Sequence, residues 1–165
     1  MKKVLVFGGT GAMGVYLVDI LSKTGLYDID VTSRSCHESH IPHVSYIKGN
    51  ARDNDFMRSL IAKNYDVIID FMNYNHDEFA GRCKTLLESC GQYVWFSSSR
   101  VYANSGQPLT EESPRLLEAS EDKDFLATNR YALRKARQED LITRSGYGNY
   151  TIIRPYITYS NERLQ

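Results

Sequence analysis

Neither sign of charge dominates this sequence: across 165 residues, 20 Lys and Arg are matched by 20 Asp and Glu. Nucleic-acid and anionic-membrane binders are read from a basic excess, so neither partner is expected. No apolar stretch approaches the ~20 residues of a membrane span. The first apolar run, Val4–Phe7, is cut short by Gly8-Gly9, before it reaches the length of a secretory-signal core. A cytoplasmic location is the expectation. Cysteine is scarce: Cys36, Cys83 and Cys90 form an odd set without a Cys-x-x-Cys pair. That excludes a disulfide framework and reads as reduced thiols packed like small hydrophobes. Internal repeats and low-complexity segments are missing too. An apolar share of 42% and a charged share of 24% lie in the ordinary globular range, which excludes disordered and collagen-like chains. A chain of this length buries roughly 70% of its unfolded surface, enough for one domain without a disulfide or structural metal.

What is present alternates between two periodicities. Short apolar strands are expected at Lys2–Phe7, Ile29–Ser33, Val44–Ile47, Val67–Phe71, Tyr93–Phe96 and Tyr150–Ile153. Between them lie helical patterns. The first runs from Gly11 to Lys23, with Gly25 as its C-terminal stop. The second is opened by Asp53 as N-cap and runs through Lys63. A third spans about Asp77 to Cys90, closed by Gly91, and a long fourth spans Lys123 to Ser145, closed by Gly146. Residues 103–122 hold Pro/Gly breakers and many acids and read mostly as loop. Apolar strands alternating with helices imply βαβ units. With right-handed crossovers these give an α/β fold, a doubly wound parallel sheet of Rossmann type in three α/β/α layers.

The first strand ends in Gly8-Gly9-Thr10-Gly11-Ala12-Met13-Gly14 and a helix follows. Glycines at this spacing serve a tight turn, a close approach of backbone to pyrophosphate, and helix–strand packing. The helix N-terminus then offers N–H groups and a positive dipole end to phosphates. Strand, turn and helix in that order make this a dinucleotide site rather than a plain glycine-rich turn. About twenty residues further on, an acidic side chain usually reads the adenosine ribose. Here Ser33-Arg34-Ser35 occupies that place. A guanidinium with flanking hydroxyls suits a 2′-phosphate, so NADP is preferred over NAD. Asp30 stays open as a ribose acceptor if the strand ends earlier.

Of twelve tyrosines, only Tyr131 has a lysine four residues later, Lys135. On a helix such positions share a face, about 5–6 Å apart. An ammonium beside a phenol favours its deprotonated form. A Tyr/Lys pair can thus exchange a proton with a substrate hydroxyl while a nicotinamide moves the hydride. A hydroxyl at the end of the fifth strand would hold the substrate oxygen, and Ser97, Ser98 and Ser99 all offer one.

With these pieces in one order, the sequence resembles the extended short-chain dehydrogenase/reductase family, in its NAD-dependent epimerase/dehydratase (sugar-nucleotide) branch. The resemblance is carried by Gly8–Gly14, Phe96-Ser97-Ser98-Ser99-Arg100-Val101-Tyr102, Tyr131-Ala132-Leu133-Arg134-Lys135 and Ile153-Arg154-Pro155. Gly49–Asp53 and Pro108–Pro114 also look like family segments. The resemblance implies Tyr131 as acid/base, Lys135 orienting the nicotinamide ribose, and Ser98 as the active hydroxyl. It implies Asn50 and Ala51 beside the adenine. Phe71, Met72 and Asn73 would line the phosphate and ribose crevice, and Pro155, Tyr156 and Ile157 would approach the nicotinamide. Family dehydratases carry an acidic pair where this sequence has Ser99 and Arg100, so epimerase or ketoreductase chemistry on a nucleotide-sugar is expected. Where the family reads His-x-Ala-Ala, this sequence reads Asp70-Phe71-Met72-Asn73. The family continues into a small substrate domain, so residues 1–165 are expected to be the NAD(P)-binding part of a longer protein, prone to self-association as a homo-oligomer. A cofactor sensor without turnover is the alternative.

Three further features carry bland expectations. Cys36, His37, His40 and His43 read as a solvated loop, with no metal expected. Tyr93 and Trp95 read as core. Arg134 and Arg137 are expected to make surface pairs with Glu139 or Asp140.

Overall fold

The computed structural model describes residues 1–158. Six strands form one parallel sheet: β1 (Lys2–Phe7), β2 (Tyr27–Ser33), β3 (Val44–Lys48), β4 (Tyr65–Asp70), β5 (Cys90–Phe96) and β6 (Tyr150–Ile153). Their spatial order is β3-β2-β1-β4-β5-β6. The order reverses between β1 and β4, which is where doubly wound sheets open a crevice at their carboxyl ends. All six expected strands are present and parallel.

The two sheet faces are covered unequally. Leu5, Phe7, Ile68, Tyr93 and Trp95 point to one side, against α2 (Asn54–Ile61), α3 (His76–Glu88) and α6 (Tyr131–Thr143). Val4, Val6, Ile29 and Val31 point to the other, against α1 (Gly14–Lys23). Tyr93 and Trp95 are completely buried, as core residues should be.

Helix starts follow local chemistry. Asp53 accepts the backbone N–H groups of Asp55 and Phe56 and so opens α2. Asn75 and Glu78 form a capping box at the start of α3, a signal the sequence reading missed. Gly25, with φ of +65°, follows the end of α1. Gly91 does not end α3; that helix stops at Glu88, and Gly91 lies inside β5. A Cβ there would meet Asp66 O at 3.0 Å, so the small residue serves the close approach of β4.

The long helix expected from Lys123 is two helices, α5 (Lys123–Ala127) and α6, with Thr128 and Arg130 in extended backbone between them. Neither Pro nor Gly causes the break. Arg137 of α6 donates to the carbonyls of Leu126 and Thr128, and the Thr128 hydroxyl donates to Phe125 O. These bonds occupy the carbonyls that a continuing helix would need. The 103–122 segment holds α4 (Leu116–Ala119) and a single bridge from Tyr102 to Arg115.

Candidate active site

At the carboxyl ends of the strands lies a cleft of about 500 Å³. Gly8, Thr10 and Gly11 line its floor, and Ser33 and Arg34 one end. Asn50 and Ala51 close one side, and Phe71, Met72 and Asn73 the other. Ten of the sequence-predicted cofactor residues thus share one cavity. Thr32, Gly49 and Arg52 also line it, although none was among the expected cofactor residues. Ala12, Met13 and Gly14 follow in the turn and start of α1 rather than in the wall.

The glycine turn is built for close approach. Gly8 has φ of +72°, and its absent Cβ leaves room 3.3 Å from Phe71 Cβ and Met72 Sδ. A Cβ on Gly14 would stand 2.5 Å from the Gly9 Cα, so no other residue lets α1 sit against the turn. Unlike α2 and α3, α1 has no side-chain cap. Val15 N already donates to Gly11 O, so the start of the helix offers an acceptor such as a phosphate only its remaining first-turn donors and its dipole.

The cleft has no carboxylate: none of the residues lining it is acidic, and two are arginines, Arg34 and Arg52. Asp30 lies lower on β2, accepting the Tyr65 hydroxyl at 2.6 Å. Burial, and then that bond, push the phenol of Tyr65 up. Asp30 is therefore committed away from the cleft. Cradle, uncapped helix and acid-free wall fit a dinucleotide.

Arg82 and Tyr74 shape the Asn50–Ala51 side of the cleft. Arg82 of α3 is 1% exposed and donates to Ala51 O, Arg52 O and Asn54 Oδ1 at 2.7–2.8 Å. Its guanidinium lies 4.5 Å from the Tyr74 ring centre. Tyr74 and Tyr93 in turn donate to Asp70, which also accepts Met72 N. Asp70 is fully buried at the end of β4, and burial pushes its carboxyl up. Its charge-bearing oxygens thus brace the 70–74 turn from below. Nothing in the sequence pattern marks Arg82, since a buried arginine and an exposed one look alike at helical spacing.

The catalytic candidates gather at the end of β5. Ser98 is 7% exposed, and its Oγ accepts Arg100 N at 3.2 Å, starting the short turn Ser99–Val101. Ser97 Oγ is buried without a partner among the described residues. Tyr131 is the first residue of α6, half-buried, with the Arg100 guanidinium 5.8 Å from its ring centre. Lys135, one turn on, is 3% exposed. Its Nζ donates to Phe96 O at 2.7 Å and lies 4.2 Å from the Trp95 ring centre. Desolvation pushes Lys135 down to about 8; the opposing pull of Asp70 and Glu139 does not restore it. Pro155 O accepts Ser99 N at 3.0 Å, which ties the segment after β6 to the same corner, while Tyr156 and Ile157 are exposed.

The expected surface pairs are not formed. Glu139 is completely buried between Arg115 and Arg154, at 2.9–3.0 Å from each. Arg154 also donates to the Tyr102 hydroxyl and Glu111 O, so this cluster fastens the 102–115 segment to α6 and β6. Arg137 is spent on the α5 carbonyls, and Arg134 turns toward Asn73. Among the thiols only Cys83 is fully packed; Cys36 is exposed and Cys90 half-buried. In the 36–43 loop His43 holds Asp28 at 2.8 Å. No group of metal-ligating side chains and no helix able to cross a membrane occurs among the described residues.

Comparison with known proteins agrees with this geometry. The chain is 30% identical to the chloroplast stem-loop binding protein of 41 kDa b of Arabidopsis thaliana, over 96% of its own length and 42% of that protein's. It is 28% identical to the UDP-glucose 4-epimerase of Neisseria meningitidis, over 69% of its length and again 42% of the relative's. The solved Bordetella bronchiseptica enzyme WbmH, in complex with NAD+, superposes with a TM-score of 0.70 at 18% identity. That match covers 93% of this chain and 55% of WbmH. The chain thus spans less than half the length of the curated relatives it matches. Residues 4–164 match the family model described as NAD dependent epimerase/dehydratase. The glycine turn, the sheet order and this match agree: the chain belongs to the NAD dependent epimerase/dehydratase family.

Proposed function

We propose that the protein holding this chain binds NADP, in preference to NAD, and exchanges hydride with a carbon of a nucleotide-linked sugar, as an epimerase or ketoreductase. The observation that carries the reading is the meeting of β5 and α6 beside the acid-free cleft: Ser98, Tyr131 and Lys135 surround one corner next to a dinucleotide-sized cavity. The bound nicotinamide supplies the hydride acceptor or donor. Tyr131 exchanges the proton of the sugar hydroxyl, and Ser98 Oγ–H donates to the same oxygen. Lys135 has donors left beyond its bond to Phe96 O for a ribose hydroxyl, and its charge beside the phenol favours the phenolate. The UDP-glucose 4-epimerase relative supports the sugar-nucleotide class. Arg34 and the missing carboxylate support the 2′-phosphate, against the NAD+ held by WbmH.

The test is a cofactor titration with Tyr131→Phe and Arg34→Ala variants. NADPH binding ahead of NADH, weakened by Arg34→Ala and kept by Tyr131→Phe, is expected, together with loss of sugar-dependent turnover in Tyr131→Phe. Binding without turnover in the wild type, over a panel of nucleotide sugars, leaves a cofactor sensor instead. A second reading, nucleic-acid stem-loop binding, comes from the name of the Arabidopsis relative. It is favoured by the exposed Arg34, Arg100 and Arg130, none of which has an acidic partner among the described residues. RNA retention that falls steeply with salt tests it.

A further inference from the structure

Helix α6 meets the wall of the cleft at a single turn. Phe71, Met72 and Asn73 line the cleft, and Tyr74 and Asn75 follow them before α3 begins. From the cleft side Arg52 donates to Asn73 O, and the guanidiniums of Arg52 and Arg82 lie over the Tyr74 ring. From the other side comes Gln138 of α6, which is completely buried. Its Nε2 donates to Tyr74 O at 3.1 Å and to Asn75 O at 2.9 Å. Both partners are carbonyls, so the amide nitrogen is the end that must face them.

Tyr131, Lys135 and Gln138 stand at i, i+4 and i+7, which is one face of the helix. Lys135 lies about 4.5 Å along the axis from Gln138, and Tyr131 about 10.5 Å. Holding Gln138 against the turn therefore sets the axial position of both. The other α6 side chains are anchored elsewhere. Glu139 goes to Arg115 and Arg154, Lys135 to Phe96 O, and Arg137 to the α5 carbonyls. Arg134 reaches the turn only at 3.4 Å, on Asn73 Oδ1.

The stability of α3 does not call for an amide here. That helix has its own capping box, and Asn75 O already accepts Phe79 N. Gln138 Oε1 is buried with no partner among the described residues, a cost that an apolar side chain of similar length would not carry. A polar group kept in the core at such a cost is expected where a function uses it.

We propose that Gln138 is a positioning residue: it ties the turn that walls the cleft to the Tyr131–Lys135 face of α6, so that a nucleotide filling the cleft steadies that face. This rests on the hydride-transfer reading, which gives Tyr131 and Lys135 their roles. A nucleotide against Asn73 restrains the 70–75 turn, and the two hydrogen bonds of Gln138 carry the restraint into the helix. The competing route is direct contact of the nicotinamide half with α6, and the experiment separates the two.

The experiment measures amide hydrogen exchange in α6 with the cleft empty and filled. One probe is NADPH or NADH, whichever binds more tightly. The other is adenosine 2′,5′-bisphosphate or ADP, again whichever binds, which enters the cleft without a nicotinamide half. The proteins are the full chain as wild type, Gln138→Met and Gln138→Leu, which keep the bulk and lose both donors, and Ile142→Val, a core control on the same helix. In the wild type the half-cofactor is expected to slow exchange over residues 135–139 about tenfold, the worth of two neutral hydrogen bonds. In the Gln138 variants that slowing is expected to fall below about twofold, while slowing in the Gly8–Gly14 turn persists. Ile142→Val is expected to raise α6 exchange in both states and to keep the slowing, as a merely structural change does. Slowing kept in either Gln138 variant overturns the proposal. Slowing by the whole cofactor but not by a bound half-cofactor gives the effect to direct contact and overturns it as well. That wild-type comparison needs no variant to fold. A wild type that takes no nucleotide sinks the hydride-transfer reading and this proposal together. One that binds nucleotide with no slowing in α6 sinks only the proposal.

Discussion

Replacing Lys135 with Met takes an ammonium out of the interior while keeping most of the side chain's bulk. In the folded protein Lys135 is 3% exposed and titrates near 8, against 10.5 when free in water. A base whose folded value lies below its unfolded value destabilises the fold wherever the unfolded chain holds the proton. That cost is full below about 8 and vanishes as pH rises through 10.5. The gap corresponds to about 3 kcal/mol at neutral pH, to order of magnitude. Between pH 7 and pH 9.5 about 2 kcal/mol of it is relieved. The Met variant carries no such group, and its lost bond to Phe96 O is a constant offset at both pH values. The stability of wild type relative to Lys135→Met is therefore expected to rise by about 2 kcal/mol from pH 7 to pH 9.5. Paired urea unfolding curves at the two pH values read this directly, with m-values as a check on cooperativity. A difference that stays constant, or shrinks with pH, would show that the ammonium is not desolvated by the Phe96–Trp95 corner.

Other substitutions probe the rest of the site. Gly14→Ala puts a Cβ 2.5 Å from the Gly9 backbone, where nothing can give way. It should cost about 1–3 kcal/mol or more and abolish cofactor binding, read by thermal unfolding and calorimetry. Arg82→Met leaves the carbonyls of Ala51 and Arg52 without their donor. It should lower stability by about 1–3 kcal/mol and weaken cofactor binding more than Lys63→Met, whose side chain is half-exposed and far from the cleft. Glu139→Gln leaves Arg115 and Arg154 without their shared carboxylate. A loss of about 3–5 kcal/mol is expected, with proteolysis of the 102–115 segment as a second readout.

Most of the framework was legible because each signal was local. An apolar run ending in glycines marks β1 and its turn. The Asp53 cap marks α2, and Tyr131 with Lys135 shows a shared helix face. The pieces that were not legible depend on partners distant in sequence. The break before Tyr131 arises from Arg137 reaching back to Leu126 and Thr128, which no breaker residue announces. Glu139 sits at a spacing that suits a surface pair, yet Arg115 and Arg154 close over it from two other segments. Arg82 reads as a solvated helix residue until α3 lies against the 51–54 loop. Gly91 resembles a helix stop, but the close passage of β4 is what requires it. The Tyr131 flank shows the same limit. Arg100 directly follows the serine run in the sequence, while Arg134 comes from α6, and only the fold sets both against one ring.

We propose that the acid-free cleft takes a 2′-phosphorylated dinucleotide on Arg34. Calorimetric titration of this chain with NADPH and NADH, in the wild type and in Arg34→Ala, decides it. NADPH is expected to bind more tightly than NADH, and Arg34→Ala to erase that difference by weakening NADPH alone. Tighter binding of NADH, or a preference untouched by Arg34→Ala, would contradict it.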